Sequence, residues 1–186
     1  MLIRPRAQPT GAAVLAAVLI AVAVTAPSAA SAHGRAHQHG VAALEVVADG
    51  SRLTLTLDSP LDNLLGFERA PRTEAERRRV QSMAERLRAP ATLIRPDGAA
   101  RCTPGDTTIE APVVGLGSGS TGKDGHADLS ATWVFTCAEP SALAGLDLAG
   151  LFAVAGGLRR LDVQMVVPAG QRKRTLTPAA SKLDLR

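Results

Sequence analysis

Hydrophobic and polar positions alternate cleanly in "RLTLTLDS", residues 52–59. Leu53, Leu55 and Leu57 fall on one side, and Thr54, Thr56 and Asp58 on the other. That period of two is the signature of a half-buried strand. Just before it, Val41 to Ala48 is apolar apart from Glu45, and Asp49-Gly50 is a hairpin turn signal. The two segments are expected to pair as a β-hairpin. "HADLSATWVFTC", residues 126–137, gives the strongest strand pattern. Leu129, Ala131, Trp133, Phe135 and Cys137 share one face, which should be core, while His126, Asp128, Ser130 and Thr132 share the other. "RRLDVQMVV" and "QRKRTLT" read as a second hairpin around Pro168-Ala169-Gly170, and Lys182–Leu185 as an edge strand.

The period changes to that of a helix after Thr73. Thr73 and Glu76 have the spacing of a capping box, and Val80, Met83, Ala84 and Leu87 then recur on one face. The other face carries Arg77, Arg78, Arg86 and Arg88, and Pro90 closes the helix. "LDNLLGFERAP" before it reads as a turn or short helix. "ATLIR" and "TTIEAPVV" read as strands with Cys102 between them, and short helices are expected over Ser141–Leu146 and Leu148–Ala155. Gly115–Gly125 reads as a flexible, low-complexity loop. The order predicts an α+β fold: an antiparallel β-sheet built from hairpins, with one main amphipathic helix, about 73–88, packed on it.

Composition and charge set the compartment. Arg4 and Arg6, the apolar run Ala12 to Ala26 and the small residues Ala30-Ser31-Ala32 match a secretory signal peptide over residues 1–32. The apolar run is short of the roughly 20 residues a spanning helix needs. No membrane span is therefore expected after cleavage, and the chain is expected in the periplasm. The remainder divides into a histidine-containing segment, 33–40, and a single domain, 41–186. Without Arg4 and Arg6, 19 basic residues face 17 acidic ones. That near balance, with no aromatic-studded basic surface, argues against a nucleic-acid partner. Two cysteines in an exported chain are expected to pair, so Cys102 and Cys137 are assigned to a disulfide.

A search for catalytic patterns finds no nucleophile elbow, phosphate-binding loop or dinucleotide fingerprint, so no enzymatic activity is expected. Three of the four histidines, His33, His37 and His39, lie just beyond the expected cut. In an extended segment, positions i and i+2 point to one side, so His37 and His39 could reach one ion. His126 and Asp128 repeat that spacing. Imidazole nitrogen together with a carboxylate suits Zn²⁺, and a site drawn from His37, His39, His126 and Asp128 is chemically reasonable. Two alternatives stand beside it. One is Cu²⁺ held by the amine and imidazole of His33 after cleavage at Ala32. The other is a metal-free module meeting an envelope partner through the arginines of Arg77–Arg88 or a sheet edge.

The opening of this region, "HQHGVAALEVVADGSRLTLTLDSPLDNLLGFERAPRTEAE", resembles that of the zinc-regulated, zinc-binding periplasmic proteins (ZrgA-like), a family formerly described as a domain of unknown function. The matching features are the H-x-H-G start, Ser59-Pro60, Asn63, Gly66-Phe67-Glu68, Ala70-Pro71, the "HADL…WVFTC" block and "VQMVVPAGQ". The resemblance implies export, zinc binding and a role in zinc buffering or hand-over, with a zinc-uptake component of the envelope as a partner. Carried over by position, it implies His37, His39, His126 and Asp128 as ligands. The chain departs from the pattern twice. Gly115–Gly125 lacks the family's His- and Asp-rich insertion, and Arg69 stands where many relatives have histidine. A guanidinium cannot ligate a metal.

Overall fold

The computed structural model describes residues 38–118 and 127–186. Strands β1 (Val41–Asp49) and β2 (Arg52–Pro60) form the expected hairpin, turning at Gly50, whose φ is 53°. They sit at the centre of a six-stranded sheet in the order β4-β5-β2-β1-β7-β8. Its other strands are β4 (Cys102–Glu110), β5 (Asp128–Cys137), β7 (Arg160–Val167) and β8 (Gly170–Leu176). A small second sheet joins β3 (Arg95–Pro96), β6 (Gly145–Asp147) and β9 (Lys182–Asp184) in the order β3-β6-β9. The α+β class is as expected. One pairing is not antiparallel: β1 runs parallel to β7, and this contact joins the N-terminal hairpin to the C-terminal one.

Register turns the alternating pattern into a core. Trp133 lies opposite Leu55, Leu55 opposite Val46, and Val46 opposite Met165. All four side chains are buried. A neighbouring row runs Ala131, Leu57, Leu44 and Val163. Such cross-strand rows are the stabilising unit of a sheet. Slipping one strand by a residue would turn its leucines to solvent. Thr56 and Thr132, on the opposite face, exchange a hydrogen bond of 3.2 Å between their hydroxyls.

The chain leaves β2 through α1 (Asp62–Leu65), a single helical turn ended by Gly66 at φ 78°. α2 (Glu74–Leu87) begins at the expected capping box: Thr73 accepts from the Glu76 amide, and Glu76 accepts from the Thr73 amide. Val80, Met83, Ala84 and Leu87 are its buried face. Trp133 reaches across the core and donates its indole N–H to the Leu87 carbonyl at 2.8 Å, fixing the end of α2 on the sheet. Cys102 and Cys137, opposite each other on β4 and β5, form the expected disulfide. Among the described residues no helix is long and apolar enough to cross a membrane.

Three local expectations are corrected. "ATLIR" is mostly the short helix α3 (Pro90–Leu93), and only Arg95–Pro96 is strand. Pro90 starts that helix, because a fixed φ and a missing N–H suit a first helical position. Cys102 lies within β4 rather than between strands, while Pro112–Val114 forms a 3₁₀ turn. Ser141–Leu146 is a 3₁₀ turn at Pro140–Ala142 followed by β6, whereas α4 (Ala149–Val154) falls within the expected helix. Short apolar runs do not distinguish helix from strand by periodicity alone. Most of the Gly115–Gly125 loop and all of residues 1–37 lie outside the described residues.

Two predictions follow from the helix and its docking. Trp133→Phe removes a buried hydrogen bond and some volume, and should cost about 2–4 kcal/mol. Urea unfolding followed by far-UV circular dichroism checks this, because Trp133 is the chain's single tryptophan. An unchanged midpoint would contradict the docking role. Glu76 generates a pH dependence. The Arg69 guanidinium first, then the amides of Arg72 and Thr73, hold its carboxyl below the ordinary 4.5, at about 2. A depressed folded pKa contributes stability above the unfolded value, lost as pH falls through the folded one. The melting-temperature advantage of the parent over Glu76→Gln should therefore shrink between pH 4.5 and about 2. An advantage constant across that range would contradict the assignment.

Candidate metal centre

His39 is the one histidine among the described residues, and its backbone is closely held. The Val41 amide donates to the Gln38 carbonyl at 3.0 Å, closing a turn with His39 and Gly40 at its centre. Gly40 has φ 81°, a conformation natural to glycine. Around this turn the clamp is Asn63, 1 % exposed. Its Oδ1 accepts from the Gly40 amide at 2.7 Å, and its Nδ2 donates to the Val41 carbonyl at 3.0 Å and to Ser59 Oγ at 3.1 Å. The Gly40 carbonyl accepts from the amides of both Arg159 and Arg160 at 2.8 Å. Gly157 closes the other side, its amide donating to the Asn63 carbonyl at 2.9 Å. A Cβ at Gly157 would lie 2.9 Å from the Asn63 Cα, so the approach requires glycine there.

The His39 ring remains 65 % exposed and stands between two carboxylates. Nδ1 lies 3.4 Å from Asp62 Oδ2, and Nε2 lies 3.4 Å from Glu68 Oε1. Asp62 comes from the first turn of α1, directly before the clamp residue. Glu68 comes from the loop after Gly66. Its Oε1 is shut off from solvent and accepts no hydrogen bond among the described residues, so its contact with the His39 ring is that of an ion pair. Both neighbours of Glu68 are fixed. Phe67 packs against the core. The Arg69 guanidinium lies over the Phe67 ring, 5.1 Å from its centroid, and forks onto Glu76 at 2.6 and 3.0 Å. Arg69 thus ties this loop to the start of α2.

Asp128 begins β5 on the exposed face, opposite Pro60 of β2. The starts of β1 and β5 consequently flank the same end of β2. Their backbones are two strand spacings apart, roughly 10 Å, so a site drawing on both must bridge that width. His33, His37 and His126 lie outside the described residues. The turn at 38–41 departs from the extended backbone assumed for His37 and His39. Among the described residues, no group of three or more His, Cys, Asp or Glu is arranged to hold a metal ion.

Asp62 and Glu68 were not among the residues singled out from the sequence. Neither shows a spacing relation to His39, since 23 and 29 positions separate them from it. The legible signal was indirect: Asn63 and Gly66-Phe67-Glu68 both belong to the pattern that carried the family resemblance. No curated protein matches the chain. A family model does, over residues 36–185, and its description is "ZrgA family zinc uptake protein". That span takes in the whole fold together with the clamped turn, and the chain accordingly belongs to the ZrgA family of zinc uptake proteins.

Proposed function

We propose that the protein is an exported, non-enzymatic zinc carrier of the periplasm, buffering Zn²⁺ or handing it to an uptake component of the envelope. The observation that carries this reading is His39: clamped through its backbone, exposed at its ring, and faced by carboxylates in a zinc-uptake family chain. An exposed ligand on a fixed turn suits a metal that must be both taken up and released. His37 precedes this turn and is assigned as the second imidazole. Asp128 enters from the start of β5, at the same end of the sheet, and His126 is assigned with it from the sequence. Imidazole with carboxylate is a donor set that Zn²⁺ accepts. Without histidines in the Gly115–Gly125 loop, the capacity is that of a few ligands rather than of a storage tract.

Calorimetric titration of residues 33–186 with Zn²⁺ near neutral pH tests the assignment. Saturable binding is expected for the parent, with a marked loss in the His37→Ala/His39→Ala double variant. Absence of binding by the parent would sink the zinc reading, and equal binding by the double variant would sink those two ligands. A second prediction concerns the clamp. Asn63→Ala strands the Gly40 amide and the Val41 carbonyl, and should lower stability by about 2–4 kcal/mol. It should also weaken Zn²⁺ binding under conditions where the variant is fully folded. Zinc affinity equal to the parent's would show that the clamp does not serve the ligand.

A further inference from the structure

We propose that the outer edge of β8 is a docking strand for an acidic, extended segment of a partner protein, which adds to the sheet as one more strand. β8 (Gly170–Leu176) is the last strand in the order β4-β5-β2-β1-β7-β8, and among the described residues it pairs with β7 alone. A strand at the end of a sheet turns a row of N–H and C=O groups outward, and extended chains bind to such rows. The two ends of this sheet differ. β4 is interrupted by Pro104 and by a shift of register between Pro104 and Thr107, and a proline or a bulge spoils an edge for pairing. β8 contains neither: its register against β7 runs unbroken from Leu161 opposite Leu176 to Val167 opposite Gly170. Of the two edges, β8 is the one that keeps the geometry of a template.

The second observation is charge. Arg172, Lys173 and Arg174 are consecutive, with Lys173 and Arg174 exposed and Arg172 half-buried. Successive residues of a strand point to opposite faces, so both faces of this edge carry positive charge. Across the ladder they stand opposite Met165, Gln164 and Val163, none of which is acidic. Among the described residues none of the three meets a carboxylate, whereas Arg69, Arg77, Arg95, Arg101 and Arg160 each do. Asp162, the acidic residue of β7, is engaged elsewhere: it lies 3.3 Å from Arg160 Nε and accepts from the Thr175 hydroxyl at 3.2 Å.

Those charges choose the occupant. Lysine and arginine on an edge strand oppose pairing with a like edge. A second copy of the chain, added antiparallel about Lys173, would set Lys173 opposite Lys173 and Arg172 opposite Arg174, and like charges directly opposite one another destabilise a pair. An acidic strand reverses the sign at each of those positions. Arg174 Nη1 donates to the Lys173 carbonyl at 3.0 Å, so its guanidinium is spent on its own strand. A carboxylate on the incoming strand offers that guanidinium a charged acceptor in place of a neutral one, which is the stronger bond. Backbone bonds then supply affinity, and the three cations supply the choice of partner. The inference stands apart from the zinc reading, since it uses none of the residues around His39 and requires no metal.

Fluorescence anisotropy of the purified protein with a labelled synthetic peptide, in chelator, tests this. The probe matches β8 in length, with three acidic residues at its centre flanked by valine and threonine. The parent should bind it saturably, and more weakly as salt rises. Lys173→Glu/Arg174→Glu, both positions being exposed, should weaken binding by about tenfold or more. The same variant should instead take up a peptide with lysines in place of the acids. Arg79→Glu/Arg88→Glu, an equal charge reversal on the exposed face of α2, should bind the acidic peptide as the parent does. Two further forms of that peptide keep its charge but are N-methylated at alternate residues, in one set or the other. An added strand turns one set of amides toward β8 and the other away, so one form should lose binding and the other keep it. No saturable binding by the parent, or equal loss in the α2 variant, would overturn the inference. So would equal behaviour of the two methylated forms, which is the mark of charge attraction without strand pairing. None of these results bears on zinc binding, which the metal titration decides separately.

Discussion

Asn63 joins the turn before β1, the end of β2 and the segment before β7. Its amide holds the Gly40 amide and the Val41 carbonyl on one side and Ser59 on the other, while its backbone carbonyl receives Gly157. A buried primary amide can make about four hydrogen bonds, and leaving them unmade is costly. The side chain therefore serves as a polar lock inside an apolar core. Ser59 and Asn63 are the buried polar residues among those described, and they bond to each other. The turn that carries His39 is held by this lock rather than by any packing of its own.

The same junction explains the parallel pair in an otherwise antiparallel sheet. β1 and β7 start side by side because the Gly40 carbonyl takes both the Arg159 and Arg160 amides, and the register then runs from Val41 opposite Arg160 upward. Parallel neighbours need a long crossover between them. Here that crossover is most of the domain: β2, the helices, β4 and β5 all lie between β1 and β7 in the chain. Closing the β1–β7 contact thus fixes the end of the sheet at which His39, Asp62 and Asp128 all lie.

The hairpins, the capped helix and the disulfide were legible because each is a local rule. Alternating leucines, the Thr73–Glu76 spacing and a pair of exported cysteines carry their meaning within a few residues or by simple count. The α3 turn was misread because "ATLI" satisfies both periods, and its outcome depends on a proline three residues after a helix end. The parallel pairing was not legible, since nothing in β1 announces a partner more than a hundred residues away. The His39 environment was half legible. Its histidine, and the asparagine and glutamate that turn out to surround it, all lay in the family pattern. That the three converge is a consequence of Asn63 folding α1 back against β1, which no spacing reveals.

Arg69 shows how such a site can alter its chemistry while the scaffold stays. A histidine at that position would offer a ligand beside Glu68, and the guanidinium offers none. Arg69 instead forks onto Glu76, the same carboxylate that closes the capping box of α2, and stacks on Phe67. The loop exchanges a potential donor for rigidity. Glu68 is thereby held beside the exposed ring of His39. In the proposed reading this combination favours exchange over retention, because a cation held at one exposed edge by few donors leaves other positions open to an acceptor's own ligands. In that same proposed reading, a chain with no histidine in the Gly115–Gly125 loop and none at position 69 is suited to passing zinc on rather than to keeping it.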